Sequence, residues 1–245
     1  MTRTGRIAAR PFPIQHPGPV GLQPLDLGPV RDCYLYVPAS YRYTAPSALM
    51  MMLHGSGGHA HHGVEILQGL ADEAGIILVA PTSKFYSWCE MPHGHGLDAR
   101  TVNMTLEHVF ARYAVDPTRI SAAGFSDGAS YAIKLGLTNG DLFKHVIAFS
   151  PRFVPTEPTE AHNNPHMFIS HGMRDEVMPI STCEQKIIAP LEQAGVDVEY
   201  AEFEAGHRIP PRVAQQAIEW LTRASASARE SRRAQSRDIR ATQEG

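Results

Sequence analysis

A serine lies between two glycines in the segment "AAGFSDGAS", residues 122 to 130. Gly124, Ser126 and Gly128 match the pattern G-x-S-x-G, in which a sharp turn between a strand and a helix exposes the serine hydroxyl. Small residues are needed at such a turn because the strand and the helix approach each other closely. An apolar run precedes this segment and a helical period follows it, so the pattern predicts Ser126 as a nucleophile.

A serine hydroxyl is a poor nucleophile at neutral pH until a base takes its proton, and the base needs an acid that orients it. "HMFISHGMRDEVMP" places Asp175 just after an apolar run, and "YAEFEAGHRIPP" places His207 after the next one. The chain order Ser126, Asp175, His207 is the order that this strand-turn-helix arrangement requires. Glu176 is the alternative acid, which we expect to point elsewhere, and His171 is the alternative base, which we expect to pack within its loop.

A glycine-rich turn follows another apolar run in "LMMMLHGSGGHA". In acyl transfer, backbone N–H groups of such a turn and of the residue after the nucleophile stabilise the developing oxyanion. We expect the N–H of Ser56, or alternatively of Gly57, to act together with the N–H of Asp127. The Asp127 carboxylate has no part in that role. The turn lacks both G-x-x-x-x-G-K-[ST] and G-x-G-x-x-G, so no nucleotide cofactor is expected.

Aromatic residues follow a further apolar run in "PTSKFYSWCEMPHGHG". Phe85, Tyr86 and Trp88 either form apolar walls of the site or fill the core beneath a long loop, and the sequence favours neither alternative. Met178 and Ile180, close to the predicted acid, are candidates for the opposite wall. The candidate substrate-binding residues are therefore Trp88, Phe85 and Met178.

Histidines are concentrated in "HAHHG" and "MPHGHG", which contain His59, His61, His62, His93 and His95. Imidazoles bind zinc, but protein zinc sites usually add carboxylate or thiolate ligands in a fixed geometry. Nothing in the sequence indicates that the two segments meet. We therefore expect no metal ion and no other cofactor.

Short apolar runs alternate with amphipathic helical periods along most of the chain. Strands are predicted over residues 33–37, 49–53, 75–81, 119–124, 145–150, 166–172 and 198–203, and helices over 64–75, within 98–117, and over 129–137, 183–195 and 212–223. Because a parallel crossover needs a connection of helix length, this alternation predicts the α/β class, with a doubly wound, mostly parallel sheet and helices on both faces. Pro190 is expected to kink or split its helix.

Three parts of the chain differ in composition. Residues 1–30 are rich in proline and glycine and are predicted to be an extended lead-in, residues 31–222 to be a catalytic domain, and residues 223–245 to be a polar tail. The connection over 151–165 is short and proline-rich, so no sizeable lid is expected. A site without a lid offers few walls to a long acyl chain, which favours short-acyl substrates.

Charge and cysteine content exclude several classes of function. The net charge of -3 and the pI near 6.5 provide no basic field for nucleic acid. Cys33, Cys89 and Cys183 lack C-x-x-C spacing and do not suggest a disulfide framework. The N-terminal residues contain no continuous apolar segment, and no apolar run reaches membrane-spanning length. We expect a cytoplasmic protein with no nucleic-acid or membrane partner, and the sequence does not indicate an oligomeric state.

The motifs "LHGSGG", "GFSDGAS", "HGMRDEVMP" and "GH" together resemble the α/β-hydrolase superfamily, in particular its phospholipase/carboxylesterase branch, over residues 31–222. The resemblance implies a serine carboxylesterase that hydrolyses short-acyl carboxylic esters of small molecules through an acyl-enzyme intermediate. That branch often has an aspartate at the position of Gly58. Polyhydroxyalkanoate-depolymerase-like and feruloyl-esterase-like relatives share this departure from the branch. Thioesterase, lysophospholipase, depolymerase or feruloyl esterase activity are the enzymatic alternatives. A binding scaffold without catalysis is the alternative from another class.

Overall fold

Eight strands form a single mixed sheet in the computed structural model, which describes residues 5–14, 16–28, 32–88, 95–153 and 164–224. The strands are β1 (Gly21–Leu25), β2 (Cys33–Val37), β3 (Ser47–Leu53), β4 (Ile76–Pro81), β5 (Val115–Phe125), β6 (His145–Phe149), β7 (His166–Gly172) and β8 (Val198–Phe203). Their order across the sheet is β1-β2-β4-β3-β5-β6-β7-β8. β1 and β2 pair antiparallel with their neighbours, and all later pairs are parallel.

The helices lie on both faces of this sheet. They are α1 (Ala60–Ala74), α2 (His95–Phe110), α3 (Asp127–Thr138), α4 (Ile180–Cys183), a π-helical turn (Glu184–Ile188), α5 (Ala189–Gln193) and α6 (residues 211–224). One buried cluster joins the sheet to α2, α3 and α5, and a second cluster joins it to α1 and α6. The expected α/β class with a doubly wound, mostly parallel sheet is confirmed.

The central strands are buried on both faces, which explains their continuous apolar sequences. In β3, every residue from Ala48 to Leu53 is buried, and all of β4 and β6 is buried. Parallel strands end at the same edge of the sheet, so the residues that follow β3 to β8 converge there. That edge carries the candidate site residues.

Pro190 affects its helix as expected. A proline has no N–H to donate and its ring collides with the carbonyl four residues earlier, so a regular α-helix cannot pass through it unchanged. The structure inserts the π-helical turn immediately before Pro190, where the N–H of Ala189 donates to the carbonyl of Glu184. The helix is thereby divided into α4 and α5.

The lead-in over residues 1–30 is partly built into the fold. β1 occupies an edge of the sheet, and Ile7 and Ala9 are buried in the core. The N–H of Ile7 donates to Asn139 Oδ1 over 2.7 Å. The sheet therefore begins before residue 31.

Two expectations concern segments outside the described residues. The connection that was predicted to lack a lid includes residues 154–163, and the predicted polar tail continues after residue 224; neither stretch is described. Among the residues that are described, no helix has both the length and the apolar character needed to cross a membrane.

Candidate active site

Ser126 occupies a strained turn between β5 and α3. Its φ is 55° and its ψ is -119°, a conformation that residues other than glycine rarely adopt. A Cβ at Gly124 would lie 2.2 Å from the carbonyl oxygen of Gly128, and a Cβ at Gly128 would lie 2.3 Å from that of Leu53. Both positions therefore require glycine, because the strand and the helix meet backbone to backbone.

The structure brings Ser126, His207 and Asp175 together from three loops. Ser126 Oγ lies 2.9 Å from His207 Nε2, and His207 Nδ1 lies 2.7 Å from Asp175 Oδ2. A carboxylate only accepts hydrogen bonds, so Nδ1 carries the proton and donates it, which leaves Nε2 free to accept from the serine hydroxyl. The arrangement can remove the proton from Ser126.

Asp175 is held in its ionised form by its surroundings. Burial alone would raise the pKa of this carboxyl, but hydrogen bonds from His207, Met178 and Val177 outweigh it and lower the pKa below its usual value. The N–H groups of Val177 and Met178 each donate to Asp175 Oδ1 over 2.9 Å. The second oxygen is therefore available to His207.

The alternative acid and base do not reach the serine. Glu176 is exposed to solvent. His171 is fully buried, and its Nε2 lies 2.8 Å from the carbonyl oxygen of Met178 and 3.4 Å from Asp175 Oδ2. His171 therefore packs within the loop of the acid, as the sequence suggested, and supports it from beneath.

The glycine-rich turn after β3 lies against Ser126. A Cβ at Gly55 would lie 3.4 Å from Ser126 Cβ. Within the described residues, the N–H groups of Ser56 and Asp127 donate to no protein acceptor, whereas the N–H of Gly57 donates to the carbonyl of Tyr86 over 2.8 Å. Ser56 and Asp127 therefore have the free donors, and Gly57 does not.

His54 sets the orientation of this turn. The N–H of Ser83 donates to His54 Nε2 over 3.0 Å, so the proton is on Nδ1, which donates to the carbonyl of Gly55 over 2.7 Å. Burial lowers the pKa of His54, which favours this neutral form. In a trans peptide the N–H points opposite to the carbonyl, so fixing the Gly55 carbonyl also fixes the N–H of Ser56.

The Asp127 carboxylate connects three loops, although the sequence assigned it no role. The hydroxyl of Ser56 donates to Asp127 Oδ2, that of Ser87 donates to the same oxygen over 2.6 Å, and Arg152 Nη1 donates to Oδ1 over 2.8 Å. Burial would raise the pKa of Asp127, but these three hydrogen bonds outweigh it and lower the pKa. The partners lie on different loops, so no local pattern could have identified this network.

The aromatic residues after β4 divide into two groups. Phe85 is 53% exposed and Tyr86 is 75% exposed, so both are available at the edge of the site. Trp88 is 3% exposed, its Nε1 donates to the carbonyl of His54 over 2.7 Å, and its ring stacks on Tyr131. This corrects the assignment of Trp88 to substrate binding, because the ring fills the core beneath the loop.

Met178 and Ile180, the candidates for the opposite wall, are both partly buried. Met178 contributes its backbone to the loop of the acid, since its N–H binds Asp175 and its carbonyl lies against His171. These contacts leave the Met178 side chain as a candidate for contact with substrate.

The histidines do not form a metal site in the described part of the chain. The rings of His59 and His62 stack with centroids 3.9 Å apart, and His61 Nδ1 lies 3.0 Å from Glu65 Oε1. Within the described ranges, no group of three or more histidine, cysteine, aspartate or glutamate side chains is arranged so that it could hold a metal ion. His93 and the side chain of His95 lie outside the described residues.

The sheet, its helices and the serine turn between β5 and α3 define the α/β-hydrolase fold. Esterase PE8 has this fold, with a TM-score of 0.64 and 22% identity, over 82% of this chain and 98% of that one. S-formylglutathione hydrolase FrmB from Staphylococcus aureus matches with a TM-score of 0.67 and 16% identity, over 82% of this chain and 97% of that one. At these identities the likeness shows the fold.

The family model described as Phospholipase/Carboxylesterase matches residues 93–225, more than half of the chain, and the chain belongs to that family. Among curated proteins, it is 28% identical to feruloyl esterase B of Thermothelomyces thermophilus over 127 residues, which are 48% of this chain and 43% of that protein. The chain thus spans less than half the length of that relative.

Proposed function

We propose that the chain is a serine carboxylesterase. The observation that carries the proposal is the sequence of contacts from Ser126 Oγ through His207 to Asp175, over 2.9 and 2.7 Å. Family membership supports it, since the family is described by phospholipase and carboxylesterase activity. Nothing in this arrangement requires a cofactor.

In the proposed reaction, His207 Nε2 accepts the proton of Ser126 as Oγ attacks the ester carbonyl carbon. The carbonyl oxygen becomes an oxyanion, to which the N–H groups of Ser56 and Asp127 donate. When the tetrahedral intermediate collapses, His207 returns the proton to the leaving alcohol and an acyl-serine remains. Water then attacks the acyl-serine with His207 again as the base, and the acid and free Ser126 are released.

Asp175 acts on the proton positions in this scheme. Its carboxylate keeps the proton of His207 on Nδ1, so that Nε2 faces Ser126 as an acceptor, and it stabilises the imidazolium during attack. Because its pKa is lowered, this carboxylate stays ionised under mildly acidic conditions and continues to accept from Nδ1 of His207.

For the substrate class, we propose esters of short acyl chains. Phe85 and Tyr86 provide exposed apolar surface beside the site, and the buried Trp88 supports their loop without extending a pocket. Each buried methylene contributes about 0.8 kcal/mol only where it has a wall to contact, so the gain should end after a few carbons. Met178 is the proposed wall on the opposite side.

Esters of aromatic acids are the second candidate. Several curated relatives are named feruloyl esterases. Gly58, in place of an aspartate, is the feature by which the sequence resembles feruloyl-esterase-like proteins. The exposed rings of Phe85 and Tyr86 suit an aromatic acyl group. A methyl hydroxycinnamate in the same substrate panel distinguishes the two candidates.

The test is a panel of aryl esters with acyl chains of rising length, measured with the natural chain and with Ser126→Ala. We expect kcat/KM to peak at about two to six carbons and to fall by about twelve. Full activity in Ser126→Ala would contradict the proposed nucleophile. A profile that still rises for long chains would contradict the proposed acyl class.

We also propose a cytoplasmic location. It is supported by the scattered cysteines, of which Cys33 and Cys183 are both buried and form no disulfide in the described residues.

A further inference from the structure

A cavity of about 350 Å³ lies between the glycine-rich turn after β3 and helix α1, and Phe125, the residue before Ser126, lines it. Met52, Ile66 and Phe125 form its apolar walls, and Gly55 and Ser56 of the glycine-rich turn also line it. None of the substrate-binding candidates Phe85, Trp88 and Met178 lines it. The cavity therefore has no role in the scheme given so far.

Two contacts connect this cavity to the reaction. Phe125 directly precedes Ser126, and its ring lies 4.8 Å from the ring of His207, centroid to centroid. His207 is the group that returns a proton to the leaving oxygen, so a substrate group in contact with Phe125 lies next to the departing alcohol. We propose that the cavity binds the alcohol half of the ester, an inference that rests on the proposed function.

Met52, which lines the cavity, and Trp88 belong to buried clusters on opposite faces of the sheet, whereas Tyr86 lies against Gly57 of the glycine-rich turn. Met52 belongs to the buried cluster of α1 and α6, and Phe125 packs against it. Trp88, which supports the loop of Phe85 and Tyr86, belongs to the opposite cluster with α2 and α3. The cavity therefore lies on the face of the sheet that carries α1 and Phe125.

Size and charge indicate the class of alcohol. A dry cavity of about 150 Å³ holds one benzene ring, so a volume of about 350 Å³ accommodates an aromatic ring together with its linker and substituents. Glu65, at the margin of the cavity, disfavours an anionic group there. The structure assigns the cavity to an uncharged alcohol with an aryl or similarly compact apolar group, such as a benzyl or naphthylmethyl alcohol.

The test fills the cavity and varies the alcohol half and the acyl half of the ester in two separate series. Ile66 lies on α1 and is 39% exposed, so Ile66→Trp places a larger ring against the cavity without disturbing the core. Leu97→Trp is the matched control, because Leu97 is 42% exposed on α2 and does not line the cavity. The substrates are ethyl, benzyl and naphthylmethyl acetate, followed by methyl esters of acids from acetate to hexanoate.

With the natural chain, we expect kcat/KM for benzyl acetate to exceed that for ethyl acetate by about tenfold or more, since the ring is buried in the cavity. Ile66→Trp should remove this preference by lowering kcat/KM for benzyl and naphthylmethyl acetate far more than for ethyl acetate or the methyl-ester series, and Leu97→Trp should retain it. A preference that survives Ile66→Trp would overturn the proposal. A change that appears instead in the methyl-ester series would assign the cavity to the acyl half and would also overturn it.

A binding measurement separates this inference from the proposed function. Benzyl alcohol is titrated into Ser126→Ala, which lacks the nucleophile, and into the same variant carrying Ile66→Trp, with ligand-observed NMR as the readout. Alcohol binding that depends on Ile66, together with no ester hydrolysis by the natural chain, would support the cavity and contradict the esterase. Hydrolysis of acetates together with alcohol binding that ignores Ile66→Trp would contradict the cavity and leave the esterase intact.

Discussion

Arg152 is expected to compensate a negative charge next to the oxyanion. The Asp127 carboxylate belongs to the residue whose own N–H is a proposed oxyanion donor, and Arg152 Nη1 donates to that carboxylate over 2.8 Å. Replacing Arg152 by methionine keeps most of the apolar stem and removes the positive charge. The carboxylate would then repel the developing oxyanion without opposition, so kcat should fall.

The size of the effect follows from Coulomb's law. With usual bond lengths, the guanidinium lies roughly 8 Å from an oxyanion bound at the Asp127 N–H, and at an effective dielectric constant near 20 one charge at that distance contributes about 2 kcal/mol. The Arg152 side chain is 42% exposed, so solvent screening reduces this contribution. A remaining effect of about 1 kcal/mol corresponds to a roughly fivefold loss in kcat.

The assay is steady-state hydrolysis of a short-acyl ester by Arg152→Met, Asp127→Asn and the double variant, with Arg112→Met as an exposed-arginine control far from the site. Asparagine retains an oxygen that can accept from Ser56 and Ser87 but carries no charge. The double variant should therefore recover most of the kcat that Arg152→Met loses. An unchanged kcat in Arg152→Met, or a double variant slower than Arg152→Met, would refute the charge argument.

Two further predictions concern stability. Burial, together with the nearby His166, Arg119 and Lys144, lowers the pKa of His145 to about 4, so the unfolded chain binds a proton below about pH 6.5 that the folded chain does not. The free energy of unfolding should therefore decline by about 3 kcal/mol between pH 6.5 and 4 through this group. The urea midpoint of His145→Gln should decline less steeply with falling pH than that of the natural chain. Equal declines in the two proteins would contradict this. A Cβ at Gly128 would lie 2.3 Å from a backbone oxygen, whereas one at Gly69 would meet nothing within 4 Å, so Gly128→Ala should lower Tm and Gly69→Ala should not. Equal melting temperatures for the two variants would show that the serine turn can relax.

The buried strands could be predicted because their sequences are continuously apolar and are bounded by glycine and proline. β1 could not, since "GLQPL" contains Pro24 and alternates between exposed and half-buried positions. An edge strand tolerates both features, because one side of it makes no ladder hydrogen bonds. A lead-in of this composition is therefore indistinguishable in sequence from an irregular segment.

The site, like the sheet, contains residues that could be predicted from the sequence and residues that could not. Ser126 was predicted from the G-x-S-x-G pattern, and Asp175 and His207 from chain order and their positions after apolar runs. The structure brings the three side chains together. The Asp127 network and the position of Trp88 depend on contacts between loops distant in sequence. In sequence, an aromatic residue of a loop is compatible both with a wall of the substrate site and with a place in the core. The hydrogen bond from Trp88 to the carbonyl of His54 holds the ring in the core.

The central claim is that Ser126 is an activated nucleophile. Its most direct test is labelling with a fluorophosphonate probe followed by intact-mass and peptide analysis, with Ser126→Ala and His207→Ala as variants. We expect a single adduct on Ser126 in the natural chain, no adduct in Ser126→Ala, and a labelling rate reduced by several orders of magnitude in His207→Ala. An adduct on another residue, or equal labelling of Ser126→Ala, would contradict it.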